Sequence, residues 1–182
     1  MLLRGFYFIT DRVLSKDGLV NDVRQAINSG VCAVQYRDKN IDTRLMLETA
    51  LLLKKISKGV PLIINDRIDI ALAVDAAGVH LGQDDMPVTI TRKILGKGKI
   101  IGLTVSSLTQ AEKGVKAGVD YLGVAPVFST TTKADAGRPV GLRLISQIRK
   151  KFKSIPLVGI GGINLKNAQS VIATGADALC AI

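Results

Sequence analysis

Short apolar runs alternate with longer stretches of helical period along the whole chain. Phe6–Thr10 reads as a strand, and Leu19, Val23, Ala26 and Ile27 make an apolar stripe at helical spacing that ends near Gly30. Val31–Tyr36 is the second strand and Leu45–Ile56 a second helix. Pro61 precedes the strand Leu62–Asn65, which leads into a short helix Ile68–Asp75. Next come the strand Val79–Leu81 with a helix Val88–Leu95, then the strand Lys99–Thr104 with a helix Thr109–Ala117 closing at Gly118. Tyr121–Ala125 precedes a long glycine- and threonine-rich loop and a helix Leu142–Phe152. Pro156–Ile160, its helix Asn164–Thr174, and a last strand Ala178–Ile182 complete the pattern.

Strands alternating with helices at a spacing of roughly 25 residues predict a parallel sheet with helical crossovers. Eight such units favour a closed (β/α)8 TIM barrel over an open doubly wound sheet. No linker or shift of composition marks a second domain, so residues 1–182 are expected to form a single barrel domain. No eighth helix follows Ile182, so the expectation is a barrel that lacks its final helix and is incomplete at the C-terminus.

The strand ends carry the chemistry. Gln35-Tyr36-Arg37-Asp38-Lys39 closes the second strand, and residues two apart in an extended chain share a face. Gln35, Arg37 and Lys39 therefore form one row, with Tyr36 and Asp38 in the other. An amide and two cations at the end of a buried strand suit a polyphosphate, the guanidinium binding two oxygens and the ammonium acting as a point charge. The other strand ends hold Thr10-Asp11-Arg12, Asn65-Asp66-Arg67, Gln83-Asp84-Asp85, Thr104, Thr130 to Lys133, and Gly161-Gly162. In a barrel all of these face one mouth.

Asp66 and Asp85 come from neighbouring strand ends, and two carboxylates with open positions for water suit Mg2+ beside a phosphate. Alternatively Asp66 or Asp84 caps the helix that follows it. Thr130, Thr132 and Lys133 offer hydroxyls and a cation from a loop able to close over an anion, or belong to a polar surface loop. Gly159-Ile160-Gly161-Gly162, leading into a helix at Asn164, can present bare N–H groups to a phosphate. His80, the chain's one histidine, reads first as a packed core residue. Together these groups point to a diphosphate leaving group, chelated through metal, and a phosphorylated acceptor.

Hydrophobic residues make up 47% of the chain, which places it among globular proteins. No apolar run approaches the roughly 18 residues of a membrane helix. The start, Met1-Leu2-Leu3-Arg4 running into Phe6-Tyr7-Phe8-Ile9, is too short for a signal peptide, and a cytoplasmic protein is expected. Cys32 and Cys180 lie in apolar runs as buried thiols. The net charge of +10 is spread along helices, as at Lys54-Lys55 and Arg149-Lys150-Lys151. With aromatics at only 4% there is little to stack on bases, so no nucleic-acid partner is expected.

Gln35-x-Arg37-x-Lys39, Ile64-Asn65-Asp66-Arg67, Gly78-Val79-His80-Leu81-Gly82-Gln83-Asp84-Asp85, Pro126 through Thr130-x-Thr132-Lys133, Gly159-Ile160-Gly161-Gly162-Ile163 and the opening Tyr7-Phe8-Ile9-Thr10-Asp11 together resemble thiamine-phosphate synthase, over essentially the whole chain. The resemblance implies a transferase of thiamine biosynthesis. Such an enzyme joins hydroxymethylpyrimidine diphosphate to hydroxyethylthiazole phosphate, and pyrophosphate leaves before the thiazole nitrogen attacks. It further implies that Gln35, Arg37, Lys39 and Asn65 hold the pyrimidine diphosphate, that Asp66 and Asp85 ligate Mg2+, and that Thr104 faces the pyrimidine. Thr130, Thr132 and the Gly162 N–H would hold the thiazole phosphate and Lys133 the pyrophosphate, with Arg37, Lys39 and Lys133 as the catalytic cations.

The chain departs from the family's pattern at Ala125, where glycine is usual, and at Ser129, where proline is common. The family's eighth strand also continues into a serine that helps hold the thiazole phosphate, one position beyond Ile182, so that site is expected to be incomplete. Three rival readings are a thiazole tautomerase of the same superfamily, a basic nucleic-acid-binding domain and a non-catalytic metabolite sensor. The tautomerase uses a histidine just after the fifth strand, where this chain has Ser106. Barrels often associate, so a homo-oligomer is an expectation that no residue pattern here specifies.

Overall fold

The computed structural model describes residues 3–132 and 137–181. The elements run β1 (Gly5–Ile9), α1 (Leu19–Asn28), β2 (Ala33–Tyr36), α2 (Thr43–Ile56), β3 (Leu62–Asn65), α3 (Ile68–Ala73), β4 (Gly78–Leu81), α4 (Val88–Leu95), β5 (Ile100–Val105), α5 (Leu108–Ala117), β6 (Tyr121–Val124), α6 (Gly141–Lys151), β7 (Leu157–Ile160), α7 (Ala168–Ala173) and β8 (Ala178–Ala181). The strands form a closed barrel in chain order, with β1 pairing in parallel to both β2 and β8. The eight strands and seven helices among the described residues are the architecture that the apolar pattern predicts. No helix among the described residues is long and apolar enough to cross a membrane.

The starts of the second and seventh helices move furthest from expectation, for local reasons. The second helix begins at Thr43 because the Asp42 side chain accepts the N–H of Leu45 at 2.9 Å and caps it. The seventh begins at Ala168 instead of Asn164. There the Asn167 side chain accepts the Asn164 N–H, and the Asn164 side chain accepts the Lys166 N–H. Asparagine side chains bonded to nearby backbone hold a turn in competition with a helix.

Alternation along each strand divides the apolar residues into two cores. The larger lies between strands and helices and includes Tyr36, Leu53, Ile64, Leu122 and Ile148. The smaller fills the barrel interior, with Tyr7, Ile9, Ile63, Tyr121, Val158 and Cys180. In the interior, large residues face glycines. His80 is in register with Gly102 and Gly102 with Tyr121. A Cβ on Gly102 would lie 2.1 Å from the Tyr121 ring, and one on Gly123 would lie 3.1 Å from His80. These glycines let the tyrosine and histidine lie across the barrel, a large-against-small layering that keeps its inside packed.

The opposite face, at the strands' N-terminal ends, is tied by acid–base clamps. Asp120 Oδ2 accepts the Ile101 N–H at 2.7 Å and an Arg92 N–H at 2.5 Å. Asp177 Oδ2 accepts the Leu157 N–H at 2.9 Å and pairs with Arg149. Each clamp joins the residue before one strand to the neighbouring strand and to a helix.

Gly102→Ala drives a methyl into the Tyr121 ring and is expected to cost about 1–3 kcal/mol, the usual range for overpacking a core. Gly98→Ala, which meets nothing within 4 Å, should change stability little. Urea denaturation of both variants measures the difference.

Candidate active site

The strands' C-terminal ends open into one cavity of about 1080 Å³. Gln35, Arg37, Lys39, Asn65, Asp66, Asp85, Thr104, Thr130, Thr132 and Gly162 all line it. These candidates meet in one mouth, whereas Thr10, Asp11, Arg12 and Arg67, also expected there, do not line it: Arg12 pairs with Asp38 and Arg67 with Asp69. Lys133 lies outside the described residues. Arg138 and Arg143 line the mouth as well; their positions near the start of α6 carried no strand-end signal.

The basic row is built by alternation that continues past the end of β2. Tyr36 is buried in the outer core, and Asp38 turns away to pair with Arg12 at 2.6 Å. Gln35, Arg37 and Lys39 face the mouth. The end of β1 braces this row: the Arg37 N–H donates to Thr10 Oγ1 at 3.0 Å, and Asp11 Oδ2 lies 3.6 Å from the Arg37 guanidinium. The Gln35 side chain is only 1% exposed and donates inward to the Tyr7 hydroxyl at 3.0 Å.

Beside the row, at the ends of β3 and β4, stand the two carboxylates. Asp66 does not cap the helix: the N-cap of α3 is Arg67, without a side-chain cap bond. Asp66 has a left-handed backbone, φ 61°, and its N–H donates to the His80 carbonyl at 2.9 Å. Such a conformation at a non-glycine residue persists only where surrounding bonds hold it, and it collects at functional sites. The Asp66 carboxylate lies 3.4 Å from Lys39 Nζ. Asp85 Oδ2 accepts the Gly82 N–H at 2.6 Å. Burial first, and then the adjacent Asp85, raise the Asp66 pKa to about 6 against the opposing pull of Lys39.

Two carboxylates that resist being charged together form a place for a cation. Among the described residues no group of three or more His, Cys, Asp or Glu could hold a metal. A pair is nevertheless the protein share that Mg2+ takes when water and phosphate oxygens supply the rest. The donor set fits that ion.

Across the mouth, the loop after β6 presents Thr130 and Thr132, with the Thr132 N–H bonded to Thr130 Oγ1 at 3.3 Å. That loop is seated against the end of β7: the Val127 N–H donates to Ile160 O at 2.8 Å and the Phe128 N–H to Gly161 O at 3.0 Å. Gly161 and Gly162 both have positive φ, and a Cβ on Gly162 would lie 2.4 Å from the Ser129 carbonyl oxygen. The two glycines therefore serve close packing of the rim.

His80 is buried, as its place in a strand predicts, yet it also reaches the mouth. Its Nε2 is 2.7 Å from Thr104 Oγ1 and its Nδ1 is 2.8 Å from the Tyr121 hydroxyl. Tyr7 and Tyr121, tyrosines within apolar strand runs, gave no sign in the sequence that they stand beneath the site.

A family model described as thiamine monophosphate synthase matches residues 6–182. The thiamine-phosphate synthase of Methanosarcina barkeri is 51% identical over 178 residues, covering 97% of this chain and 80% of that protein. That of Syntrophomonas wolfei is 50% identical over 181 residues, covering 98% and 86%. The solved thiamine phosphate pyrophosphorylase of Pyrococcus furiosus superposes with a TM-score of 0.90 at 40% identity, covering 100% of this chain and 86% of that one.

Because its pKa is raised on folding, Asp66 favours the fold below the ordinary aspartate value of 3.8, and that contribution is lost as pH rises through about 6. Above that pH the ionised carboxylate weakens the metal-free protein. Asp66→Asn, which tolerates the left-handed backbone, should raise Tm at pH 8 by about 2–4 °C, the effect of about 1 kcal/mol in a domain of this size. At pH 4 it should change little. Thermal unfolding without added metal at the two pH values checks this.

Proposed function

The chain belongs to the thiamine monophosphate synthase family, and from that premise we propose that it joins hydroxymethylpyrimidine diphosphate to hydroxyethylthiazole phosphate, releasing pyrophosphate. The observation that carries this reading is a basic row standing beside a carboxylate pair, with Lys39 Nζ 3.4 Å from Asp66, in a mouth of about 1080 Å³. A cavity of that volume accommodates two small substrates side by side.

In this reading Gln35, Arg37, Lys39 and Asn65 hold the pyrimidine diphosphate, and Thr104 meets the ring. Thr130, Thr132 and the Gly162 N–H receive the thiazole phosphate, and Lys133 meets the pyrophosphate. Asp66 and Asp85 would hold Mg2+, which when bound neutralises charge on the diphosphate oxygens and eases their departure. The Arg37 guanidinium and Lys39 ammonium draw off the charge that builds on the leaving pyrophosphate, as preorganised donors do best in a site shielded from water. The bond from the pyrimidine methylene to oxygen breaks first, and the thiazole nitrogen lone pair then forms the new bond to that carbon. The electron pair leaves with pyrophosphate and no proton need move, so the reaction requires no protein nucleophile or base.

Ser106 argues against a tautomerase. Its N–H and hydroxyl both donate to Gln110 Oε1, at 2.7 and 3.0 Å, which leaves no base at that position. The same reading makes the protein an enzyme of cytoplasmic small molecules, with Mg2+ as cofactor and residues 1–182 as one barrel domain.

Pyrophosphate release is expected only with both substrates and Mg2+ present. Chelation should abolish it, and Asp85→Ala should lower it by at least about 100-fold, the scale of losing one main electrostatic stabiliser. Release that ignores Asp85→Ala removes the metal role. Absence of thiazole-dependent release removes the synthase reading.

A further inference from the structure

A continuous line of hydrogen bonds crosses the barrel interior beneath the mouth. Gln35 Nε2 donates to the Tyr7 hydroxyl at 3.0 Å. The Tyr7 and Tyr121 hydroxyls are 2.8 Å apart. Tyr121 meets His80 Nδ1 at 2.8 Å, and His80 Nε2 meets Thr104 Oγ1 at 2.7 Å. Gln35 and Thr104, the two ends, line the mouth, whereas Tyr7, Tyr121 and His80 are 0%, 1% and 4% exposed. The path is built into the packing, because Gly102 and Gly123 clear the space that the Tyr121 and His80 rings occupy.

The chemistry of the members gives the line one direction. The Tyr7 oxygen receives the amide N–H of Gln35, so its own proton goes to Tyr121. A buried hydroxyl needs that acceptor. Tyr121 then donates to His80 Nδ1, which must be the bare nitrogen of a neutral ring. His80 carries its proton on Nε2 and donates it to Thr104 Oγ1. Burial pushes both phenols above their ordinary pKa, so both keep the protons this line uses. The Thr104 oxygen is thus already supplied, and its own proton is left for whatever lies in the mouth.

We propose that Tyr7, Tyr121 and His80 are positioning residues that fix the Thr104 hydroxyl as a hydrogen-bond donor toward the substrate ring. Thr104 therefore selects a ring that presents a bare acceptor nitrogen and disfavours one that presents N–H. A site built around one polarity rejects the opposite one strongly, because the mismatch leaves buried polar groups unpaired. The identity of the ring rests on the synthase reading; the direction of the line does not.

The single histidine makes the direction measurable without any assay. Protein labelled with 15N-histidine should show a neutral ring protonated at Nε2 and bare at Nδ1 in long-range 1H–15N spectra. A ring protonated at Nδ1 would overturn the proposal whether or not the protein is a synthase. In the pyrophosphate assay, Tyr121→Phe should raise KM for the pyrimidine diphosphate by about 10-fold and leave KM for the thiazole phosphate within about 2-fold. In a Thr104→Val background the same substitution should have almost no further effect, because both changes remove one coupled contact. Equal losses in the two backgrounds would show a purely structural role and also overturn it.

Discussion

The pairing of β1 with β8 closes the sheet, with Gly5 to Phe8 in register against Ala178 to Ala181. Since every strand is parallel, closure sends all the C-terminal ends to one side of the molecule. Polar residues placed anywhere after a strand are then gathered within reach of one another, though far apart in sequence. The other side receives the strand starts, where Asp120 and Asp177 bind backbone N–H groups and helix arginines. One constraint thus divides the chain between a face that holds the fold and a face that is free to be reactive.

At the reactive face the charges are arranged against their own comfort. Lys39, the last member of the basic row, lies beside the Asp66 carboxylate, and its pull does not offset the burial and the second carboxylate that raise the Asp66 pKa. A pair of acids beside a pair of cations could have neutralised each other in four short ion pairs. The observed spacings are 3.4 Å for Lys39–Asp66 and 3.6 Å for Arg37–Asp11, looser than the 2.6 Å of the Arg12–Asp38 pair on the outer side. The pairs at this face are loose, which leaves the acids able to meet a cation and the bases an anionic oxygen.

Much of this is legible in the sequence. The strand and helix order follows from apolar periodicity, since period two and period 3.6 are simple signals. The row Gln35, Arg37, Lys39 follows from alternation and keeps its face even though β2 ends at Tyr36. What escaped depends on bonds between distant residues or on local polar competition. The left-handed backbone of Asp66 is held by a bond to the β4 carbonyl of His80, which no local pattern announces. The late start of α7 comes from asparagine turns. Tyr7 and Tyr121 are aromatic residues in apolar strands, and only closure of the barrel brings their hydroxyls together.

The interior line explains why the barrel tolerates polar groups where aliphatic packing would be simpler. A buried network that is partly satisfied costs more than an apolar core, whereas one satisfied at every member is rigid. Here each hydroxyl and ring nitrogen from Tyr7 to Thr104 has its partner. The rigidity is delivered to two residues at opposite sides of the mouth, one next to the basic row and one at the end of β5. The rim carries its charge on side chains that reach solvent, Lys39 at 50% exposure and Arg37 at 21%. Beneath it, the floor senses the pattern of donors and acceptors through side chains that cannot turn. The proposed reaction, which creates an electron-poor carbon, would use both: cations to follow the leaving anion, and a fixed donor to keep the ring from following it.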